Sequence, residues 1–232
     1  MKKNFLTACF SAVALVASAQ SRPGTFSLTP KVGVAIAKIT KQDLIYEGRH
    51  AMEPKYRGDF AMGVEGAYQQ SDMLSLTLGA YYAALGYRVG DTEILQSQTD
   101  ARAVYSVYRN AYNRLDYVLM PVMVNLYVAK GFALKGGLQA GFLVNAKTEM
   151  KISEVTYDKS TGVGTYTDPL TQKNTSRLGY HQFDLSMPLG LSYEYMNVVL
   201  DARYNLGLLK MSTTSGAKNA SFTFTVGYKF AL

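Results

Sequence analysis

The sequence predicts an all-β fold: an eight-stranded antiparallel transmembrane β-barrel of up-and-down topology, with long outer loops and short periplasmic turns. Three observations predict it. Eight segments alternate apolar residues with small or polar ones at period two, the signature of strands with two unlike faces. The connections between them run long, short, long, short, long, short, long, the asymmetry of outer loops and periplasmic turns. Beyond the N-terminal 20 residues no apolar run reaches the roughly 18 to 20 residues of a membrane helix, so strands alone would cross a bilayer.

The N-terminus reads as an export signal. Lys2 and Lys3 precede an apolar run from Phe5 to Val16, and Ala17-Ser18-Ala19 offers a small-residue cleavage site before Gln20. Residues 1–19 are expected to be removed, leaving 20–232 as one outer-membrane barrel domain. Leu6-Thr7-Ala8-Cys9 fits a lipidation box, but it sits too close to the lysines, and apolar sequence continues beyond it. Cleavage takes away Cys9, the single cysteine of the chain, so the mature protein has no disulfide to form. It also lowers the formal charge from +7 to +5 through loss of Lys2 and Lys3. That basic excess suits an anionic surface such as lipopolysaccharide, and equally suits simple solubility.

In order, the predicted strands are Lys31 to Ala37, Phe60 to Tyr68, Leu74 to Ala84, Leu115 to Val128, Phe132 to Asn145, Gln182 to Glu194, Val198 to Leu208 and Ser221 to Leu232. The third is the cleanest: Leu74, Leu76, Leu78, Ala80, Tyr82 and Ala84 alternate with Ser75, Thr77, Gly79, Tyr81 and Ala83. The fourth is weakened by Pro121, since proline within a strand marks an edge or a bulge. Gln69 to Asp72, Ala129-Lys130-Gly131 and Tyr195-Met196-Asn197 are the tight turns. Lys38 to Lys55, the stretch from Arg88 to about Asn113, Lys147 to Gly179 and Lys210 to Lys218 are the loops. Within the third loop, Lys151 to Tyr157 alternates well enough to extend a hairpin beyond the membrane.

The composition of the two faces separates a membrane barrel from a soluble one, which would also alternate. One face carries Leu, Phe, Val, Met and Tyr over nine or more residues per strand, the length a tilted strand needs to cross hydrocarbon. The other mixes glycines with Glu65, Lys135, Asp184, Glu194, Asp201, Arg203 and Lys229, which fits a crowded interior of paired charges. With 18 Tyr, 10 Phe and 0 Trp, the aromatic girdles are expected to be tyrosine-based, with Tyr68, Tyr82, Tyr193, Tyr204 and Tyr228 as candidates. The last strand puts Phe222, Phe224, Val226, Tyr228, Phe230 and Leu232 on one face. It must be paired to avoid aggregation, and the first strand is the economical partner.

Several stretches carry a resemblance. Leu115-Asp116-Tyr117-Val118-Leu119-Met120-Pro121-Val122, Asp201-Ala202-Arg203-Tyr204-Asn205-Leu206-Gly207 and the closing Gly227-Tyr228-Lys229-Phe230 resemble the PorT-like family of eight-stranded outer-membrane barrels. The likeness spans essentially the whole mature chain. It implies the bacterial outer membrane as location and makes Pro121 a family feature. Leu119 departs from the pattern, standing where the family often has an acidic residue. The name-giving member is associated with protein secretion across the outer membrane, so the resemblance implies secretion-system proteins as partners. Separately, the spacing Thr225-x-Gly227-x-x-Phe230-x-Leu232 resembles the C-terminal insertion signal of bacterial outer-membrane barrels, which implies contact between the last strand and the barrel-assembly machinery.

Three classes of function are left to weigh. The interior charges read as a structural ion-pair network, or as a gated path for small ions. Enzymatic chemistry has little to work with: His50 and His181 are the only histidines, and no G-x-S-x-G element, metal-ligand cluster or phosphate loop accompanies them. No catalytic, cofactor-binding or metal-binding residue is assigned, and the protein is expected not to be an enzyme. The third class is binding by the outer loops. There Lys41, Arg49, Lys55, Arg57, Arg102, Arg109, Lys147, Lys151, Lys159, Lys173 and Arg177 form a basic rim able to meet lipopolysaccharide phosphates, or simply a solvated surface. The scattered lysines lack a base-stacking platform, so nucleic acid is not an expected partner. The reading is of a monomeric, non-enzymatic barrel in contact with outer-membrane lipid and lipopolysaccharide. Its role is structural or in assembly, with surface adhesion or ligand binding as the alternative.

Overall fold

The computed structural model describes the backbone of residues 22–40, 44–46, 49–52, 54–213 and 216–232, and the side chains of these except 44–46 and 49–52. The expected signal peptide, residues 1–19, lies outside the described residues, as does Lys41.

Eight strands form a closed ring: β1 (Phe26–Thr40), β2 (Arg57–Gln69), β3 (Leu74–Val89), β4 (Arg102–Ala129), β5 (Phe132–Asp158), β6 (Phe183–Tyr195), β7 (Val198–Gly207) and β8 (Lys218–Tyr228, resumed at Phe230–Ala231). Each pairs antiparallel with its sequence neighbours, and β8 pairs with β1 from Thr40↔Lys218 through Lys31↔Gly227 and, after a break, at Leu28↔Phe230 and Ser27↔Ala231. The terminal strand is thus the seam, in the register the alternation of the first and last strands demands. No helix among the described residues is long and apolar enough to cross a membrane, and the crossing is made by strands.

The outward rows are apolar and open to the surroundings. Val32, Leu78, Val122 and Leu138 are each more than half exposed, and Phe60, Val64, Phe142, Leu189, Phe224 and Val226 also stand on the outside. A soluble monomer does not display a continuous belt of this kind, because contiguous apolar patches on such surfaces rarely exceed a few hundred Å². Aromatic pairs bound the belt. Phe60–Tyr82, Phe142–Phe183 and Tyr204–Phe222 lie towards the loops, with centroids 5.5, 5.5 and 4.7 Å apart. Phe26–Tyr68 at 4.8 Å and Tyr228–Phe230 at 5.0 Å lie towards the turns, with half-buried Tyr193 at the same end. The girdles are therefore shared between tyrosine and phenylalanine, and five other tyrosines (Tyr81, Tyr87, Tyr117, Tyr127 and Tyr180) are largely buried instead.

Prolines sit where ladders pause. The β3–β4 pairing breaks between Leu78↔Val122 and Tyr81↔Leu119, at the height of Pro121, and the β5–β6 pairing breaks between Ser186↔Gln139 and Leu189↔Gly136, at Pro188. Each ring points into the interior and is fully buried. A residue without an N–H costs the ladder one rung, and neighbouring rungs hold the strand. Pro121 marks no edge: β4 is the longest strand, with 28 residues.

The predicted loops prove to be largely strand. β1 runs on to Thr40, Leu44–Tyr46 pairs with Arg49–Met52, and Pro54–Lys55 pairs with Val89 and Arg88 of β3. Thr92–Gln98 pairs with β4, while Gly164–Tyr166 and Leu170–Thr175 pair with β5. Period-two contrast requires one face in lipid and one inside; above the membrane both faces meet water, and the pattern fades while the backbone pairing persists.

Candidate functional site

The interior is stacked in layers from the turn end upward. Nearest the turns, the Lys229 ammonium donates to Glu194 at 2.7 Å, and Asn125 Nδ2 donates to Ser75 Oγ at 2.9 Å. Above them lies a closed ionic knot. Glu65 Oε1 accepts from Lys31 and Lys135, both at 2.9 Å, and Glu65 Oε2 accepts from the Arg203 guanidinium and from the Tyr81 hydroxyl at 2.9 Å. Asp201 Oδ2 accepts from Lys31 at 3.1 Å, Lys135 at 2.6 Å and Arg203 Nη2 at 2.8 Å, while Arg203 Nε donates to Asp201 Oδ1 at 2.5 Å. Two carboxylates thus face three cations from four strands, every member nearly inaccessible to solvent.

Sequence reasoning brings Glu65, Lys135, Asp201 and Arg203 to this knot and misses Lys31. The signal was present, since Lys31 sits on the inner face of the first strand in phase with Gly33 and Ala35. Asp184 stands apart from the ions; it accepts from Asn219 Nδ2 at 2.9 Å, which also lies 3.3 Å from the Tyr117 hydroxyl. Glu194 and Lys229 form a separate pair.

Above the ions the bore is apolar. Ala35, Ala37, Ala61, Ala83, Leu85, Leu115, Tyr117, Leu119 and Leu143 pack into one cluster, and Met211 and Ala217 of the last outer connection join it from above. That connection is tied down by His181 N donating to the Met211 carbonyl at 2.9 Å and Thr213 N to the Gly179 carbonyl at 3.0 Å. Between the ionic and apolar layers, beside Tyr81, Leu119 and Arg203, is a cavity of about 20 Å³, room for roughly one water. A bore packed this way is a filled core.

The wall itself changes at the outer end. β2–β3 pairing stops at Ala61↔Ala83, although β1–β2 continues to Arg57 and β3–β4 to Arg88. Side chains close the break: Arg57 Nη1 donates to the Leu85 carbonyl at 3.4 Å and pairs with Asp59, which lies 3.6 Å from Arg114. Arg114 Nε in turn donates to Asp116 at 2.8 Å, and Asn145 Nδ2 to the same carboxylate at 3.0 Å.

Beyond this level β4 and β5 carry on as a sheet, paired from Arg114↔Lys147 up to Arg102↔Asp158. At 28 and 27 residues they are more than twice the roughly 9–11 residues a crossing needs. Thr92–Gln98 flanks β4, while Gly164–Tyr166 and Leu170–Thr175 flank β5. The Glu149 carboxyl, on this sheet, is held below the usual carboxylate range, first by the Tyr112 hydroxyl donating at 2.9 Å, with Lys173 and Lys147 adding to it. Of the predicted basic rim, Lys55, Arg109 and Lys151 are exposed here, Lys147 and Lys173 sit by Glu149, and Arg57 turns into the wall break. His181 is exposed at the mouth, whereas the side chains of His50 and Arg49 lie outside the described residues. Among the described residues no group of three or more His, Cys, Asp or Glu is placed to hold a metal ion.

A closed ring with an apolar exterior, a filled ionic interior and long structure on one side only defines a bacterial outer-membrane β-barrel. Residues 18–213 match the outer membrane protein beta-barrel domain family, and the chain belongs to that family. Among solved structures it is similar to Ail, the attachment invasion locus protein of Yersinia pestis, at 13% identity and a TM-score of 0.42, covering 88% of this chain and 98% of that one. It is also similar to OprG from Pseudomonas aeruginosa, at 14% identity and a TM-score of 0.40 over 92% and 99% of the two chains. Neisserial surface protein A gives 14% identity and a TM-score of 0.33 over 88% and 97%. No curated protein is matched by sequence.

Proposed function

We propose that this protein is a non-enzymatic outer-membrane scaffold: a sealed barrel that anchors a β-platform outside the cell, with binding carried by the platform. One observation carries this reading. The bore is filled from the Lys229–Glu194 pair up to Met211, so the barrel offers no room for traffic, while β4 and β5 continue well past the membrane. Strands extend where they can hold a partner, and side chains pack where a solute could pass.

An enzyme would need a base with a nucleophile or metal beside it. His181 stands exposed beside Gln182 and Phe183, which supports no such assignment. The resemblance to PorT-like barrels adds secretion-associated assembly as the process the platform would serve.

Planar-bilayer recording of the purified barrel is expected to give no conductance steps; stepwise conductance would overturn the scaffold reading. A deletion strain, with crosslinking of the tagged barrel in wild-type cells, tests the platform. A specific surface partner is expected, and a normal secretome would remove the secretion role.

A further inference from the structure

The outer sheet contains an arrangement that barrel folding does not require. Three rungs set cation against cation: Lys55 opposite Arg88, Arg109 opposite Lys151, and Arg114 opposite Lys147. Like charges directly across a ladder destabilise it unless an anion lies between them. For the third rung the anions are in place, since Arg114 has Asp116 and Asp59, and Lys147 has Glu149 at 3.4 Å. For the others, no carboxylate among the described residues lies within salt-bridge distance of Lys55, Arg88, Lys151 or Arg109. Arg109 instead lies over the Tyr166 ring, 5.5 Å from its centroid.

Lys55, Arg88 and Lys151 converge. They line one cleft of about 600 Å³ together with Asn110, Tyr112 and Glu149. The two carboxylates on its wall are already engaged: Asp91 accepts from the Asn110 amide at 3.1 Å, and Glu149 accepts from Tyr112 and neighbours Lys147 and Lys173. Among the described residues, these three exposed cations therefore share a cleft without a carboxylate of their own. A ligand carrying several phosphates matches this, with the Arg88 guanidinium able to take one phosphate in a two-pronged contact.

Position selects the source. Arg88 continues the outward phase of Leu78 and Tyr82, and Lys55 faces it across the rung, so both look to the membrane side of the wall. Six residues along β3 separate Tyr82 from Arg88. At about 3.3 Å per residue and a tilt near 40°, this is roughly 15 Å above the outer aromatic row. That is the layer of the sugars that neighbouring lipopolysaccharide molecules raise above the hydrocarbon. We propose that the Lys55–Arg88–Lys151 cleft binds the phosphorylated core saccharide of lipopolysaccharide. The proposal rests on reading the outer sheet as the working surface, and it gives that surface its first ligand class.

The test uses the whole folded barrel in detergent micelles. It is titrated with core-bearing lipopolysaccharide, the same lipopolysaccharide after dephosphorylation of the core, and inositol hexaphosphate as a lipid-free polyphosphate. The triple variant Lys55→Gln/Arg88→Gln/Lys151→Gln, checked for folding by heat-modifiable mobility, is expected to bind intact lipopolysaccharide at least about tenfold more weakly. Lys55→Arg/Lys151→Arg is expected to bind as wild type does. Dephosphorylated lipopolysaccharide should bind the wild type as poorly as the intact form binds the triple variant. Equal affinity of wild type and triple variant, or indifference to core phosphate, would overturn the proposal. Variant-sensitive binding of inositol hexaphosphate without such binding of lipopolysaccharide would overturn the membrane source. Conductance in a bilayer would sink the scaffold reading while leaving these titrations interpretable.

Discussion

The ionic knot makes an asymmetric prediction. Lys31 and Lys135 both bridge the same two oxygens, Glu65 Oε1 and Asp201 Oδ2, and Arg203 braces both carboxylates from the other side. Three cations against two carboxylates leave the knot at +1. Glu65→Gln raises it to +2, removing a carboxylate that accepts from Lys31, Lys135, Arg203 and Tyr81. Removing one partner of a buried ionic group costs about 3–5 kcal/mol, or roughly a hundred- to several-thousand-fold in the folding equilibrium at about 1.4 kcal/mol per decade. Lys135→Met instead brings the knot to neutrality, with Lys31 and Arg203 still bonded to both carboxylates and one ammonium fewer to desolvate. Its cost is expected to stay below about 2 kcal/mol. The double variant, again at +1, should be more stable than Glu65→Gln alone. Urea unfolding in lipid vesicles measures this, read by gel mobility and far-ultraviolet dichroism because the chain has 0 Trp. Equal destabilisation by the two single changes, or a larger loss for Lys135→Met, would refute the charge argument.

Three further outcomes are expected. Replacing Phe230 and Leu232 with serine removes two lipid-facing side chains from the seam strand and should abolish outer-membrane assembly; wild-type amounts of heat-modifiable protein would contradict this. At Gly33 an added Cβ would collide with the Phe224 carbonyl across the β1–β8 seam, whereas at Gly66 the nearest atom would be 3.8 Å away. Gly33→Ala should therefore cost about 1–3 kcal/mol or more and Gly66→Ala much less, as compared by unfolding midpoints. Glu149 supplies a pH test: its folded pKa is lowered, so its contribution is complete above the unfolded value of about 4.3 and lost as pH falls through the depressed one. Protection against amide exchange in the outer β4–β5 ladder, taken relative to the intrinsic rate at each pH, should hold at pH 5 and fall below pH 4 in the wild type, and Glu149→Gln should flatten that pH dependence.

How much of this was legible follows from where each residue sits. Within the membrane one face meets lipid and the other meets the bore, so the eight strands, their two faces and the β1–β8 seam are written in period two. Above it the contrast disappears. Arg102 to Asn113 reads as loop although it pairs with β5 along much of its length, and only Lys151 to Tyr157 retained enough alternation to betray the sheet. The ionic knot was half visible: the inward charges could be placed on a face, but partner choice depends on stagger around the ring. Hence Asp184 meets Asn219 and no cation, while Lys31 becomes the bridge. The apolar upper bore is hidden in the sequence because Ala35, Ala61 and Ala83 look like the small residues of a polar face. Only the ring shows that Leu85, Leu115 and Tyr117 fill the space those alanines leave.

If the outer sheet is the working surface proposed above, the two halves of the molecule separate stability from recognition, and the charges make the separation testable. Inside, Lys31, Lys135, Arg203 and Lys229 are each matched to a carboxylate at salt-bridge distance, because stripping a buried charge of its partner costs about 3–5 kcal/mol. Outside, water screens Lys55, Arg88 and Lys151, and the sheet tolerates them at small cost without a salt-bridged carboxylate among the described residues. An exposed cationic rung carries little stability, so the proposal assigns its alignment across two strands to a ligand. Variants of the knot should consequently move the unfolding midpoint and leave lipopolysaccharide affinity unchanged in the protein that remains folded. Variants of the cleft should move affinity and leave the midpoint where it was. If the cleft variants shifted the midpoint as far as the knot variants do, the outer rungs would be part of the barrel's own framework, and the platform would lose its claim to be a separate working surface.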